Sequence, residues 1–305
     1  MIISASRRTD IPKFFSEWFM RRVKEGFFYS KNPFNPSDVK RVSLLPEDVD
    51  AVVFWSKDPA PLLEHLGELD SMGYRYYFQF TLNDYPRTFE PNVPPLKDRM
   101  TTFRRLADRI GPSRVIWRYD PIILSVLTPL DYHIGRIAGI AKSLEGFTER
   151  LVISFLDLYA RVRRRMAISG EFSGLGILDI SQFGGKETLL DFGAQVSQIA
   201  AVHDMDVSTC SEPVDLSSVG IQPGACVDGA LIGRLLAKSG KLPSSMAFFG
   251  KDPGQRPECL CVRSVDMGAY NTCRHGCVYC YANYSPSAVE KNLARHRLDG
   301  PWLIG

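Results

Sequence analysis

The sequence predicts an α/β protein built on a partial (β/α)6 TIM-like barrel, with a C-terminal cysteine-rich extension covering the barrel mouth. Short, near-continuously apolar segments alternate with amphipathic helical segments along the 305 residues. This alternation is typical of parallel βα units whose strands are buried on both faces. There are six such apolar segments, too few for a closed eight-stranded barrel. A partial barrel is therefore favoured, and a doubly wound sheet is the alternative.

The individual elements follow from the same patterns. The predicted strands span residues 2–6, 51–55, 76–80, 114–119, 150–155 and 206–210. The predicted helices span residues 12–24, 60–69, 98–110, 129–144, 186–203 and 228–238. Two segments read as insertions: residues 26–45, an ordered loop or hairpin punctuated by Asn-Pro steps, and residues 161–183. We expect no strand after about residue 210, and we divide the chain into a barrel at 1–238 and a cysteine-rich, cluster-binding extension at 239–305.

The composition narrows the class of protein. With 45% hydrophobic and 23% charged residues, the chain reads as globular and soluble. The net charge of +3 is too small to indicate a nucleic-acid partner by itself. No apolar run approaches the roughly 20 residues of a membrane span, and the first residues, MIISASRRTD, lack the pattern of a secretory signal. We therefore expect a cytoplasmic protein with no membrane partner.

Polar residues follow each predicted strand, at the edge where parallel α/β folds form their sites. Arg7, Arg8 and Asp10 come directly after the first strand, and we predict that they contact substrate or cofactor. Cofactor contacts are predicted at later strand ends, from Lys57, Asp58, Arg118, Asp120 and Ser154. Arginines, a lysine and carboxylates on one rim suit an anionic or zwitterionic ligand. The simpler interpretation is that such residues only meet water and cap helices.

Seven cysteines are the most informative feature, because an odd number argues against a purely disulfide framework. Cys273, Cys277 and Cys280 form C-x3-C-x2-C. Thiolates at this spacing let one loop wrap a [4Fe–4S] cluster, and three of them leave one iron open. The alternative is a zinc site completed by His275, which lies awkwardly between the ligands in a tight loop.

The remaining cysteines form a second candidate set. They are Cys210, Cys226, Cys259 and Cys261. Four thiols are the number that holds a second cluster or a structural zinc ion. The alternative is that Cys210 and Cys226 are small buried hydrophobic residues.

The cysteine motif, with an aromatic residue before its last cysteine, resembles the signature of radical S-adenosylmethionine (SAM) enzymes. The segment HGCVYCYAN resembles their spore photoproduct lyase-like branch. Over nearly its whole length the chain is similar to the family called domain of unknown function 1848, through SASRRTDIP, NPFNP, VFWSKDPAPL, QFTLN, RYDPI and CRHGCVYCYAN.

The radical SAM resemblance implies a six-stranded partial barrel and a [4Fe–4S] cluster on Cys273, Cys277 and Cys280. It implies that SAM binds the open iron and is cleaved reductively to a 5′-deoxyadenosyl radical, which attacks a substrate that the sequence does not identify. The electron would come from a reductant such as ferredoxin or flavodoxin. In that superfamily the motif follows the first strand, whereas here it follows the sixth. A C-terminal loop laid over the barrel mouth would bring it to the same place.

Two other functions remain open at this point. One is an iron–sulfur enzyme that does not use SAM, with a Lewis-acid or structural cluster. The other is a zinc-stabilised nucleic-acid-binding protein that uses the basic run Arg161, Arg163, Arg164 and Arg165. The usual interpretation of such a run is a solvated helix face.

Overall fold

The computed structural model describes residues 1–32, 35–168, 175–178, 185–240 and 249–305, so the second predicted insertion and the start of the extension lie partly outside the described residues. The strands are β1 (Ile2–Ala5), β2 (Phe27–Asn32), β3 (Asn35–Ser43), β4 (Ala51–Ser56), β5 (Tyr76–Thr81), β6 (Val115–Ile122), β7 (Arg150–Phe155), β8 (Asp206–Cys210), β9 (Gln222–Gly224) and β10 (Val265–Asp266).

Most of the helices agree closely with the predicted amphipathic segments, but Ala160–Ile168 and Pro286–Leu293 were not predicted. The helices are α1 (Ile11–Phe14), α2 (Ser16–Glu25), α3 (Ala60–Leu63), α4 (Leu66–Ser71), α5 (Leu96–Ile110), α6 (Leu130–Leu144), α7 (Ala160–Ile168), α8 (Gly185–Val202), α9 (Gly229–Lys238) and α10 (Pro286–Leu293). Two of the predicted helices are each split into a pair, α1 with α2 and α3 with α4. Over the part of the chain that the structure describes, none of the helices has the length and apolarity to cross a bilayer.

One parallel sheet forms the core, with strand order β10-β1-β4-β5-β6-β7-β8-β9. The six predicted strands lie side by side in chain order, which confirms the α/β class and the parallel arrangement. These six show no reversal of strand order, the feature that creates the switch point of a doubly wound sheet. The first insertion is a separate antiparallel hairpin of β2 and β3, one of the two forms predicted for it.

The expectation that strands stop near residue 210 is wrong. β9 pairs with β8, and β10 pairs with β1 through Ile3↔Val265 and Ser4↔Asp266. Both strands are only two or three residues long and carry polar residues, proline or glycine, so no apolar run marks them. Their pairing depends on contacts far apart in the chain. The cysteine-rich extension therefore contributes an edge strand to the sheet.

Successive side chains of a strand point to opposite faces of the sheet. Here both faces are covered by other elements. One face packs against α2, α5, α6 and α8, through residues that include Val52, Phe54, Phe78, Trp117, Trp18, Phe103, Ile140 and Phe192. The opposite face packs against α9 and the extension, through residues that include Ile2, Val53, Tyr77, Ile116, Leu231, Cys226, Cys259 and Cys261. Burial on both faces explains the near-continuous apolar runs of the strands. Three cysteines are buried in the cluster on the second face.

A buried histidine makes the stability of the fold pH-dependent. His133 of α6 bonds to the Tyr119 hydroxyl through Nδ1 at 2.9 Å and to the Ile123 carbonyl through Nε2 at 2.9 Å. The carbonyl can only accept, so Nε2 carries the proton and Nδ1 accepts from the tyrosine. Burial lowers the pKa of His133 to about 4, from an ordinary value of 6.5. The folded state therefore keeps this histidine neutral at pH values where the unfolded chain protonates it.

We expect this histidine to contribute stability above about pH 6.5 that is lost as the pH falls towards about 4, by about 1.4 kcal/mol per pH unit. Urea unfolding at about pH 7 and about pH 5 measures the loss. His133→Asn should be less stable than the wild type throughout, but it should lose less stability between the two pH values. The difference should be about 1.4 kcal/mol for each pH unit below about 6.5. His65→Gln, which alters a partly exposed histidine, is the control and should keep the wild-type dependence. Equal pH dependence in wild type and His133→Asn would contradict the assignment.

Candidate active site

A cavity of about 460 Å³ lies at the carboxyl ends of the parallel strands. All seven cysteines line it, together with most of the predicted rim residues: Arg7, Arg8, Asp10, Lys57, Arg118, Asp120 and Ser154. Asp58 is not among the lining residues, because its carboxylate pairs with Lys13 Nζ at 2.6 Å. The fold thus brings together predicted residues from the ends of five of the six predicted strands and from the segments that follow them.

The C-x3-C-x2-C loop is fixed to the end of β1 by a buried hydrogen bond. His275 is 2% exposed, and its Nε2 lies 2.8 Å from Asp10 Oδ2. Asp10 also accepts hydrogen bonds from Ser56 Oγ at 2.7 Å and from the Lys57 backbone N–H at 2.8 Å. These bonds align the cysteine loop with the ends of β1 and β4. They engage His275 Nε2, whereas Nδ1 has no hydrogen-bond partner among the described residues.

A second buried contact holds the other end of the cysteine motif. Glu90, in the segment between β5 and α5, accepts hydrogen bonds from Lys57 Nζ at 2.7 Å and from the Tyr279 hydroxyl. Burial would raise the pKa of Glu90, but the adjacent Lys57 ammonium holds that pKa below its ordinary value. Tyr279 lies between Cys277 and Cys280, so the ion pair positions the second half of the motif.

The motif loop turns sharply and presents its thiols to the cavity. Gly276 has a φ of +69°, a conformation that favours glycine, and a Cβ there would lie 3.0 Å from Asn92 Nδ2. Burial raises the pKa of Cys277 to about 12 and also raises the pKa of Cys273. Both thiols are therefore protonated in the protein alone. A metal would have to displace these protons, which couples metal binding to pH.

The other four cysteines form a continuous chain of sulfur contacts. Cys210 Sγ lies 3.0 Å from Cys226 Sγ. Cys261 forms side-chain hydrogen bonds with both Cys226 and Cys259. Arg118 Nη1 donates to Cys226 Sγ at 2.7 Å. The four sulfurs are thus gathered in one place beside a buried guanidinium group, although they come from three separate segments.

These contacts separate the four thiols into two acidic and two weakly acidic groups. A hydrogen bond with Cys226 and the charge of Arg118 lower the pKa of Cys210 to about 6. Hydrogen bonds with Cys226 and Cys259 lower the pKa of Cys261 to about 2. The pKa values of Cys226 and Cys259 are raised, because each of these thiols bonds to a neighbouring thiolate. The set therefore carries negative charge at neutral pH.

Three of the predicted cofactor residues bond to one another. Arg118 Nε donates to Asp120 Oδ2 at 3.0 Å, and Nη1 also reaches Gln79 Oε1 at 3.2 Å. Ser154 Oγ donates to the other oxygen of Asp120. The guanidinium of Arg118 thus contacts the four-cysteine set, through Cys226, and also lines the cavity.

Arg7 has a different environment. Its guanidinium lies 5.3 Å over the Trp55 ring, and Nη2 is buried with no hydrogen-bond partner within the described ranges. Desolvation opposes its charge, but the negative charges of Cys261 and Asp266 raise its pKa. Arg7 therefore brings a cation with unused hydrogen-bonding capacity to the wall of the cavity.

Comparison with known families gives a match over residues 2–282, to the model described as Domain of unknown function (DUF1848). The chain belongs to the DUF1848 family. The matched range includes all seven cysteines and every rim residue predicted above. The resemblance to domain of unknown function 1848 that was drawn from the sequence is therefore confirmed.

Other comparisons add no function to the DUF1848 assignment. A comparison with curated proteins gives no match. Among solved structures, a crystal structure of a putative alpha-L-fucosidase from Bacteroides thetaiotaomicron VPI-5482 covers 66% of this chain and 76% of its own, with 12% identity and a TM-score of 0.27. At that TM-score the similarity carries no argument.

Two anchoring carboxylates of this DUF1848 chain were missed by sequence reasoning. Glu90 lies in a proline-flanked segment away from any strand end, and nothing in its neighbourhood marks it. Asp266 lies in the two-residue strand β10. It accepts hydrogen bonds from Ser4 Oγ at 2.7 Å, Ser6 Oγ at 2.6 Å and the Arg7 backbone N–H at 2.9 Å. Both act through partners distant in sequence, which a local pattern does not reveal.

No group of three or more His, Cys, Asp or Glu side chains placed to hold a metal ion is found in residues 1–32, 35–168, 175–178, 185–240 and 249–305. In the basic run, Arg163 and Arg164 are exposed on α7 and do not line the cavity, as in a solvated helix face.

Proposed function

We propose that this protein is an iron–sulfur enzyme of the radical SAM type, in which Cys273, Cys277 and Cys280 hold a [4Fe–4S] cluster with one iron open to the cavity. One observation carries the proposal. The motif follows the sixth predicted strand in sequence, but the Asp10–His275 contact returns its loop to the end of β1. That is the place the motif occupies in the superfamily. The chain order of the six strands further supports a partial (β/α)6 barrel with this loop over its mouth.

The residues present fit such a group in two respects. Three soft thiol donors lie on one loop that faces the cavity, which is the ligand set a [4Fe–4S] cluster with one open iron requires. Buried polar atoms around them, His275 Nδ1, Glu90 Oε2 and Arg7 Nη2, lack a hydrogen-bond partner in the part of the chain described. Buried polar atoms are normally bonded, so a bound group that supplies partners here would complete the site.

Different side chains of this protein would bind the ligand and position the cysteine loop. When bound, the cluster supplies the electron for reductive cleavage of SAM. Arg7 has the charge and the free N–H to bind a carboxylate on the ligand. Lys57 and Glu90 hold the motif loop in place, and His275 fixes it to Asp10. The reacting part of an unidentified substrate would enter the same cavity.

Anaerobic reconstitution with iron and sulfide tests the proposal. With SAM and dithionite, the wild type should yield 5′-deoxyadenosine, and SAM should change the electron paramagnetic resonance spectrum of the reduced cluster. Cys277→Ala should lose both signals. Thr101→Ala, on the exposed face of α5, is the control and should keep them. Iron-loaded protein that neither cleaves SAM nor responds to it would leave the iron–sulfur enzyme without SAM as the better function.

A further inference from the structure

The second cysteine set is held by hydrogen bonds to the backbone as well as by the contacts between its sulfurs. The carbonyl of Cys226 accepts hydrogen bonds from the Tyr77 hydroxyl at 2.6 Å and from Gln79 Nε2 at 2.9 Å, both from β5. The backbone N–H of Val227 donates to Cys261 Sγ at 3.3 Å, and Val262 N–H donates to the Val227 carbonyl at 3.1 Å. The segments that carry these thiols are therefore fixed to the sheet and to each other.

The charges around the set suit a buried anionic metal centre. Arg118 donates to Cys226 Sγ at 2.7 Å, and Arg7 lines the same cavity as the four thiols. Four thiolates around a doubly positive [4Fe–4S] core carry two negative charges in total. Hydrogen bonds and positive charge at the sulfurs are the means by which proteins stabilise and tune such clusters. Cysteines that only fill an apolar core need no guanidinium beside them.

The open side of the set distinguishes it from a structural zinc site. Cys210, Cys226, Cys259 and Cys261 all line the cavity of about 460 Å³. A structural zinc ion is enclosed by its four ligands. A [4Fe–4S] cluster instead takes one thiolate on each iron, so the sulfurs of Cys210 and Cys226, which lie 3.0 Å apart in the protein alone, would separate towards the open space to bind it. The same cavity is bordered by the C-x3-C-x2-C loop.

We propose that Cys210, Cys226, Cys259 and Cys261 bind a second, fully cysteine-ligated [4Fe–4S] cluster that faces the first site across the same cavity. Each sulfur binds as a thiolate, and the protons still present on the thiols pass to solvent. This site goes beyond the proposed function, because it has its own ligands and does not require SAM.

Iron and sulfide content tests the proposal, with the anaerobically reconstituted full-length chain as the sample. The wild type should hold about eight irons and eight sulfides per chain. Cys226→Ser/Cys261→Ser should hold about four, and Cys273→Ser/Cys277→Ser/Cys280→Ser should also hold about four. The Mössbauer spectra of the two variants should add up to that of the wild type. The wild-type count does not depend on how either variant folds.

The outcomes separate the two sites. About four irons in the wild type, all kept in Cys226→Ser/Cys261→Ser, would overturn the second cluster and leave the first. About four irons that are lost in that variant and kept in the triple variant would support the second cluster and overturn the first. About one zinc per chain that disappears in Cys226→Ser/Cys261→Ser would overturn the second cluster in favour of structural zinc.

Discussion

Replacing Arg118 by methionine is expected to lower the free energy of unfolding by about 3 kcal/mol, because it leaves a carboxylate without its counter-charge. Arg118 is 4% exposed and bonds at once to Asp120, Gln79 and Cys226. Burial raises the pKa of Asp120, and Arg118 brings that pKa below its ordinary value. The side chain of Asp120 keeps 24% of its surface exposed, so the lower end of the range of about 3–5 kcal/mol for a broken buried pair applies.

A double-mutant cycle separates the ion pair from simple loss of packing. Asp120→Asn in the Arg118→Met background should restore part of the stability, since the uncompensated charge is then gone. Urea unfolding of the wild type, both single variants and the double variant gives the coupling free energy. Strictly additive losses would show that the pair contributes no coupling and that Arg118 acts through its other contacts.

The second large effect is expected at the ion pair that holds the cysteine loop. Lys57→Met leaves Glu90, which is 2% exposed, with the Tyr279 hydroxyl as a hydrogen-bond donor and the more distant charge of Arg99 to stabilise its carboxylate. We expect a loss of about 3 kcal/mol near pH 7. In the wild type the lowered pKa of Glu90 gives stability that is present above its unfolded value of about 4.5 and lost as the pH falls through the folded value. The cost of the substitution should therefore shrink as the pH falls and Glu90 becomes protonated.

Two comparisons make this prediction specific. Lys57→Met/Glu90→Gln should recover much of the loss, because the buried group is then neutral. Lys24→Met removes an exposed pair with Glu68 and should cost no more than about 1 kcal/mol. Hydrogen exchange of the Val278 amide, which donates to the Phe89 carbonyl at 3.1 Å, reports directly on the loop and should accelerate in Lys57→Met. An unchanged exchange rate would show that the ion pair does not hold the motif.

The elements that the sequence predicted best are those whose signal is local. Val52 and Phe54, for example, pack on one face of the sheet while Val53 packs on the other, so their strand reads as a continuous apolar run. β9 and β10 were missed because they are short and gain their place only by pairing with distant strands. The positions of the central strands can therefore be predicted from local apolar runs, whereas the positions of these short edge strands depend on tertiary contacts.

The same distinction applies to the site. Asp10 could be placed at the rim by its position after β1, but its partner His275 comes from the other end of the chain. Asp58 follows a strand in the same way, yet its bond to Lys13 keeps it out of the cavity lining. The number of cysteines suggested two sets, and only the fold brings Cys210 against Cys226. A position after a strand thus predicts proximity to the site, whereas the pairing within the site needs the structure.

The parallel pairing of β10 with β1 has a consequence for how the protein is made. A ribosome delivers β1 first and Val265–Asp266 only after most of the chain has emerged. Until then the outer edge of β1 lacks its neighbour and can recruit another strand, and Asp10 lacks His275. A nascent or truncated chain therefore has neither a finished sheet nor a finished cavity. By this geometry the cavity is completed only in chains whose translation has passed the cysteine motif.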